Sequence, residues 1–521
     1  MTTLSALPGR QRPSAADRPD VTLERGLLHL IHDDITPAHA QLEDLRAVAE
    51  ALEAGDVPVL LIRHGRSAPA LAVDSELRED AFRALREHLP ADPFYVKTKG
   101  APAAPVEDAQ PPTAAPTTVR VFRPRITADR SLRYGRQYAA RIEFWRFGSE
   151  VTEAPDDNAL TRRLTPSADI VFADVERYGR SWRTIDGMFD THAHEFGEDV
   201  DIVFSWVDGS SRTFQQQHAK RLAGHIVGQG DDSPARYRHV DELRYALRSV
   251  HMYAPWIRRI FIATDSPAPA WLAEHPKVTI VRSEAFFADP SVLPTHNSHA
   301  VEAQLHRIPG LAEHFLYSND DMFFGRPVDP ELFFTPAGLT RFVESPVRIG
   351  VGGPDAERSG HDNGLRVNRA LLQERFGRTI VRDLSHCATP LRRSILFELE
   401  EQFPEEFART AAARFRSVSD ISVTNSLYHY YAMLTGRALP TAEPRVTYVQ
   451  TTVTGALQRM DRLTGRRDVD MFCLNDGWET DIPEQLRTRA VREALERMFP
   501  IRAPWEKPED QHSADAPAAA V

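Results

Sequence analysis

The chain has 521 residues, 42% hydrophobic and 26% charged, with a formal net charge of −11. This length calls for more than one domain or one large elaborated domain, and the composition is that of an ordinary soluble globular protein. The acidic balance argues against a general nucleic-acid binder, although 63 Lys and Arg leave room for local basic pockets.

From the N-terminus, "MTTLSALPGRQRPSAADRPD" (residues 1–20) is polar and Pro-containing and is predicted to be disordered. It lacks the apolar segment of a signal peptide, and no apolar run in the chain is long enough to span a bilayer. Two cysteines, Cys387 and Cys473, cannot supply a disulfide framework. A cytoplasmic, reducing location is therefore expected.

Residues 21–190 read as an α+β accessory region whose function is not legible. "AHAQLEDLRAVAEALEAG" has helical spacing and ends at Gly55, a C-cap. "VPVLLIRHG" and "PFYVKT" read as strands, and "SELREDAFRALREHL" as a helix with Ser75 as N-cap. Residues 99–117, rich in Ala, Pro and Thr, read as a linker or exposed loop. "TVRVFRP" and "AARIEFWRF" are strand-like.

The pattern changes at Asp199. "DIVFSWVDGSS" is a strand closed by Asp208-Gly209, followed by a helix in "DELRYALRSVHMYAP" that Pro255 stops. Next come a strand in "RRIFIATDS", a helix in "APAWLAEHP", a strand in "KVTIVRSEAFF" and a helix in "HAVEAQLHRIPG". A further strand, "HFLYSNDD", ends in two carboxylates before the apolar "MFF". Strands alternating with helices predict an α/β fold with a mostly parallel, buried sheet. In such sheets ligands bind beyond the carboxyl ends of the strands. Asp208, Asp265 and the pair Asp320/Asp321 all fall at such ends, where acids repel one another and are poorly solvated. A hard cation such as Mg²⁺ or Mn²⁺ relieves that cost. Any one Asp at a strand end is equally well a turn residue bonding to the backbone.

Five stretches carry a resemblance: "DIVFSWVDGSS", "DELRYALRSVHMYAPWIRRIFIATDS", "LPTHNSHAVEAQLHRIPGLAEHFLYSNDDMFFGRPV", "SHCATPLRRSILFELEEQFPEEFARTAAARFRSVSDIS" and "FCLNDGWE". In this order they resemble the conserved regions of the Stealth family. That family holds bacterial capsular polysaccharide phosphotransferases and the catalytic part of the eukaryotic lysosomal-enzyme N-acetylglucosamine-1-phosphotransferase. The resemblance covers 199–480, with a C-terminal helix expected over 481–505 and a disordered tail over 506–521.

The resemblance implies a GT-A-like, Rossmann-type nucleotide-sugar core, a divalent metal and a UDP-sugar donor, commonly UDP-N-acetylhexosamine. It implies transfer of sugar-1-phosphate to a glycan hydroxyl with release of UMP, as in capsular or cell-surface polysaccharide synthesis. Peripheral association with a membrane-bound polysaccharide assembly complex stays open. Position by position, Asp208 matches the acid of the first motif, Asp320 and Asp321 the paired acids, His386 the histidine of the third motif, Arg416 its arginine, and Asp476 the acid of the fourth. The family often has His-x-Pro at the histidine, whereas this chain reads His386-Cys387-Ala388 and delays proline to Pro390. Upstream, the usual acidic run is "RHVDELR" here.

In these roles Asp320, Asp321 and Asp476 are the expected metal ligands, Asp208 a substrate-binding and catalytic acid, Arg416 a forked phosphate donor and His386 the general base. Arg414 is a further candidate for the phosphate, and Asn368, on a helix entered from a glycine-rich loop, a candidate for the donor. Arg392 and Arg393 read as a helix surface. The cluster Tyr428-His429-Tyr430-Tyr431 has the spacing of a buried helix. Without CxxC spacing, zinc is not expected. The competing readings are a metal-dependent glycosyltransferase that releases UDP and a non-catalytic nucleotide-sugar-binding module.

Overall fold

The computed structural model describes residues 18–65, 68–89, 91–209, 240–477 and 480–508. It divides into two compact units, Met1–His192 and Ala193–Val521. Of the expected disordered ends, 1–17 and 509–521 lie outside the described residues, as do Ser210, Ser211, His239 and Trp478 of the quoted motifs.

The first unit is built on an eight-stranded, largely antiparallel sheet. Helices Pro37–Ala54 and Arg78–His88 pack on it through Leu45, Val48, Leu52, Phe82 and Leu85. Thr36 caps the first helix by accepting from the His39 N–H, and Gly55 ends it. The second helix differs from expectation at its start. Asp74, not Ser75, supplies the cap by accepting from the Glu76 N–H at 2.9 Å, and Ser75 begins a 3₁₀ turn. The segment 99–117 is not a free linker: it holds the strand Ala104–Pro105 and the 3₁₀ turn Val106–Asp108. Val106 and Ala109 are buried in the core, so its few apolar side chains anchor a Pro-rich stretch that carries no periodicity.

The second unit carries the α/β core. Strands β1 (Val200–Ser205), β2 (Ile260–Ala263), β3 (Val278–Val281) and β4 (His314–Asn319) are parallel in the order β3-β2-β1-β4. This is the order of a Rossmann-type half. A short strand β5 (Met322–Phe324) follows β4 directly but belongs to another sheet. Farther along come β6 (Arg382–Leu384) and β7 (Thr389–Arg392), and β7 closes the main sheet antiparallel to β4. The last two strands are β8 (Val446–Gln450) and β9 (Met471–Asn475). They form a second sheet, β5-β9-β8, in which β9 runs antiparallel to β5 and parallel to β8.

Continuous apolar runs make this core because both faces of the central strands are covered. Ile202, Val203 and Phe204 on β1, and Phe315, Leu316 and Tyr317 on β4, are all buried. Helix α1 (Glu242–Tyr253) lies against β5, where Ser249 Oγ accepts from the Phe324 N–H at 3.1 Å. Two expected helices are cut short. "APAWLAEHP" forms none: Trp271 is buried, and its neighbours bond to the chain near Trp505. Three prolines in 267–276 remove the donors a helix needs. "HAVEAQLHRIPG" is helical only over α2 (Ser298–Glu302), followed by a 3₁₀ turn at Leu305–Arg307.

The C-terminal helix α4 spans Glu484–Met498. Beyond it the expected tail begins later than 506, because Arg248 forks onto Glu506 through Nε and Nη2, both at 2.7 Å, and Arg244 joins at 2.7 Å. Phe323, Phe472 and Phe499 stack between these elements, with centroids 5.1–6.1 Å apart. Among the described residues no helix is long and apolar enough to cross a membrane.

The amino ends of the parallel strands are tied by Asp201, which is fully buried on β1. Its oxygens accept from Arg258 Nε and Nη2 at 2.9 and 2.7 Å, from the Arg259 N–H at 3.1 Å and from the Ala312 N–H at 2.8 Å. Replacing Asp201 by Ala leaves two part-buried backbone donors and a partly exposed guanidinium unmatched. Asp201→Ala is expected to destabilise this unit by about 3 kcal/mol, read as a lowered urea midpoint. A loss below about 1 kcal/mol would show that water replaces the carboxylate.

Candidate active site

The register of the main sheet sets the site. Ser205 pairs across to Ala263 and to Asn319, and Ala263 pairs to Val281, so the carboxyl ends of all four parallel strands are level. Asp208, Asp265 and Asp320 leave the sheet from that one edge within three residues of their strands. Asp265 is a turn residue, as the structural alternative holds: it is exposed, and Oδ1 accepts from the Ser283 N–H at 2.9 Å. The Asp208 N–H donates to Ser266 Oγ at 2.9 Å, which orients the loop after β1.

Asp320 and Asp321 form the tight turn between β4 and β5. The buried Tyr317 hydroxyl steadies the end of β4, donating to Asn319 Oδ1 at 2.9 Å and to Glu302 Oε1 at 3.2 Å. Asp321 Oδ2 accepts from the Cys473 thiol at 3.4 Å. Its Oδ1 is enclosed and has no hydrogen-bond partner. Burial raises the Asp321 carboxyl to about 6, opposed by the thiol and reinforced by the negative charges of Glu242 and Asp476. Asp476 follows β9, accepts from Thr451 Oγ1 and lies 3.9 Å from Arg487 Nε. An orphaned carboxylate oxygen beside further acids is an environment that a hard divalent cation would relieve, although among the described residues the ligand atoms of Asp320, Asp321 and Asp476 do not all lie within 4.8 Å of one another. Asp321, Asp320 and Asp476 are the residues that would hold it.

The second part of the site surrounds His386. It lies in the connection between β6 and β7, and its ring nitrogens make no hydrogen bond among the described residues. His361, in the first turn of α3 (Gly360–Phe376), places Nε2 3.0 Å from Asp383 Oδ2. The His361 and His386 ring centroids are 5.9 Å apart, and polar atoms of His361, Asp383 and His386 all lie within 4.8 Å of one another. Burial lowers His386 to about 4. The His361 charge lowers it further, and Asp383 partly opposes both. His361 is raised above its ordinary value: burial pulls it down, but the hydrogen bond and charge of Asp383 outweigh that.

Arg416 completes this cluster. Its stem crosses Gly360, where a Cβ would sit 2.6 Å from Arg416 Cδ, so a residue larger than glycine there displaces it. Its Nη2 donates to Ser298 Oγ at 3.0 Å.

Tyr448 on β8 joins the two parts. Its ring centroid is 5.3 Å from that of His386, and its hydroxyl accepts from Asn475 Nδ2 at 2.6 Å, one residue before Asp476. The cysteines are free and buried. Burial pushes Cys387 up to about 12 and Cys473 well above its ordinary value, so neither is a ready thiolate ligand.

The structure thus places Asp320, Asp321 and Asp476 around one turn, and His386 and Arg416 around the start of α3. It gives other candidates different surroundings. Asn368 is fully buried: Nδ2 donates to the Ser422 carbonyl at 2.8 Å and Oδ1 accepts from the Ser422 N–H at 3.3 Å. That amide is a clamp between α3 and the loop at Ser422, which corrects its reading as a donor contact. The Arg414 side chain is exposed, and only its carbonyl is engaged, by the His296 N–H at 2.8 Å. Arg392 pairs with Glu313 at 3.0 Å, and Arg393 donates to the His306 carbonyl. The Tyr428–Tyr431 cluster is buried core. Sequence reasoning missed His361, Asp383, Tyr448, Asn475 and Glu242. His361 and Asp383 are 22 residues apart, so no local spacing marks them, whereas Glu242 lies inside the quoted "DELRY".

Comparison with known sequences finds Stealth protein conserved region 2 over residues 236–342, conserved region 3 over 385–433 and conserved region 4 over 461–516. The chain is 49% identical over 511 residues to the exopolysaccharide phosphotransferase CpsY of Mycobacterium tuberculosis H37Rv, covering 97% of this chain and 96% of that one. It is 51% identical over 474 residues to an exopolysaccharide phosphotransferase of Nocardia farcinica, covering 91% and 89%. A Streptomyces coelicolor exopolysaccharide phosphotransferase, SCO6021, is 36% identical over 522 residues, covering 95% of both chains. Among solved structures, galactosyltransferase LgtC in complex with donor and acceptor sugar analogs aligns with 60% of this chain and 99% of its own at 12% identity. The TM-score is 0.30, a likeness too loose to carry an argument.

The enclosed Asp321 carboxylate generates a stability prediction. In metal-free buffer at pH 7.5, Asp321→Asn is expected to unfold about 2–4 °C above the unsubstituted protein, because a buried charge near two acids is removed. Added Mg²⁺ should raise the midpoint of the unsubstituted protein and leave that of the variant in place. Equal midpoints for both proteins, with and without Mg²⁺, would make Asp321 a turn residue only.

Proposed function

The chain belongs to the Stealth family of phosphotransferases, and from that premise we propose that it moves a hexose-1-phosphate, as N-acetylhexosamine-1-phosphate, from a UDP-sugar to a glycan hydroxyl. The convergence of His386, whose proton affinity burial lowers, with Arg416 on one side and the acid cluster on the other, linked through Tyr448 and Asn475, carries this reading.

The reaction forms a bond from the acceptor oxygen to the sugar-linked phosphorus and breaks the bond from that phosphorus to the UMP oxygen. Charge spreads over the non-bridging oxygens as this happens, so positioning and electrostatics do most of the catalysis. His386 is suited to take the acceptor proton, because burial holds it in the neutral form at neutral pH. Arg416, tethered by Ser298 and by its packing on Gly360, presents a planar fork to the phosphoryl oxygens. Asp208 leaves the same sheet edge, which supports a role for it in contacting the donor. Asp320, Asp321 and Asp476 would hold Mg²⁺ or Mn²⁺, which supplies neutralisation of the pyrophosphate charge when bound. Glu242 adds negative potential at Asp321 from the start of α1.

Incubation with UDP-N-acetylglucosamine, Mg²⁺ and a polysaccharide acceptor is expected to release UMP and to give a phosphodiester resonance in the ³¹P NMR spectrum of the product. UDP with a phosphorus-free glycoside would replace this reading with ordinary glycosyl transfer. His386→Ala is expected to lower turnover roughly 10²–10⁴-fold with donor affinity little changed. A variant within about threefold of the unsubstituted rate would assign the proton transfer elsewhere.

A further inference from the structure

We propose that His361, fixed by Asp383, is a positioning residue that lowers the proton affinity of His386 beyond what burial does, so that the pair sets the acid limit below which His386 can no longer meet the acceptor hydroxyl as a base. The inference rests on the reading of His386 as that base, and it adds a residue pair that the family motifs in this chain do not contain.

The geometry sorts the two imidazoles. Asp383 Oδ1 accepts from the Leu384 N–H at 2.8 Å and Oδ2 faces His361 Nε2 at 3.0 Å, so both carboxylate oxygens are engaged. His361 therefore has a buried anion as a direct partner, whereas His386 has none. A proton shared between two half-buried rings 5.9 Å apart goes to the ring with the anion. Once there, it repels a second proton from the other ring. Environments that push two titratable groups apart are the usual way an active site assigns acid and base.

The surrounding charges fit this division. On its own helix His361 has Asp362, which is occupied by Arg366 and lies 3.7 Å from Arg358. From the loop after residue 413 it meets the charge of Arg416, which opposes its protonation; Asp383, from β6, outweighs it. His386 is faced by His361, Asp383 and the ring of Tyr448 from β8. Two histidines and a carboxylate also form a donor set for a transition metal. Here the His361 nitrogen is already at hydrogen-bond distance from the carboxylate, which supports the proton-sorting arrangement.

The test is a histidine titration of the full chain by NMR in the presence of EDTA, with His361 and His386 assigned by loss of their signals in His361→Gln and His386→Gln. His361 is expected to titrate above 6.5 and His386 near 4. In His361→Gln, removal of the neighbouring cation should raise the His386 midpoint by about one unit. The acid limb of kcat/KM for UMP release from UDP-N-acetylglucosamine should move up by the same amount. In Asp383→Asn, His361 should fall below 6.5, because burial remains without its anion. A His361 midpoint at or below 6.5 in the unsubstituted protein overturns the proposal, and so does an unmoved His386 midpoint in His361→Gln. The unsubstituted and Asp383→Asn titrations decide the matter even if His361→Gln fails to fold. Release of UDP in place of UMP would fail the proposed reaction and leave the titration result standing.

Discussion

A carboxylate that cannot reach bulk water sets the terms for this molecule. Asp321 sits at a turn with apolar strands on both sides, β4 behind it and β5 ahead, and one of its oxygens finds no donor. The turn is also the seam between two sheets, since β4 belongs to the main sheet and β5 to the second. Holding Asp321 there requires β9 beside it, because Cys473 bonds its side chain and the Leu474 N–H bonds its carbonyl at 3.0 Å. The same strand then delivers Asn475 and Asp476, and its neighbour β8 delivers Tyr448 to His386. An isolated turn with two acids would be solvated and mobile. Buried between two sheets, it becomes a rigid and electrostatically tense feature whose charge needs a counter-charge.

Much of the second unit could be read from its sequence because the local and global signals agree. Continuous apolar runs such as "DIVFSW" and "HFLYSN" are buried on both faces, as parallel strands must be. Acids at the ends of these runs therefore had to share an edge. Where the reading failed, a contact distant in sequence overrode a local pattern. The stretch around Trp271 has helical spacing yet is drawn into bonding with the chain near Trp505. Glu506 looked like the start of a polar tail, but its acid is taken up by two arginines of α1. Asn368 looked available to a ligand, and its amide is spent on a backbone 54 residues away. The strands β8 and β9 carried no expectation as a sheet, although "FCLND" was marked as a motif. Their pairing with β5 is a tertiary event.

The histidines show the same division between what a motif marks and what folding adds. Among twenty histidines, His386 stands out only through the residues around it. Its partner pair has no such marker, since His361 enters on a helix and Asp383 on a short strand. What decides their roles is which ring the carboxylate touches, and that depends on a 3.0 Å contact. Elsewhere burial without an anion gives the opposite result: His429, in the core, is lowered to about 3 and bonds only to the Thr424 carbonyl. His361 and His429, in one unit, are thus shifted in opposite directions for a reason that can be traced to a single acid.

The fork from Arg248 to Glu506 spans 258 residues of chain. A ribosome adding roughly 5–20 residues per second needs about 13–50 s to make that stretch. Within that interval, once Asp321 has been made and until β9 follows, the nascent protein has β1 to β4 and the acids after them, but neither β9 nor the anchor that fixes the C-terminal segment against α1. Asp476 has not been made, Tyr448 has no Asn475 to hold, and the turn at Asp321 has no thiol beside it. Synthesis of β9 and assembly of the candidate site are therefore coupled. A product terminated before β9 would lack Asp476, the Asn475 that bonds Tyr448 and the thiol beside Asp321. The order of the strands in the second sheet thereby delays completion of the candidate site until β9 has been made.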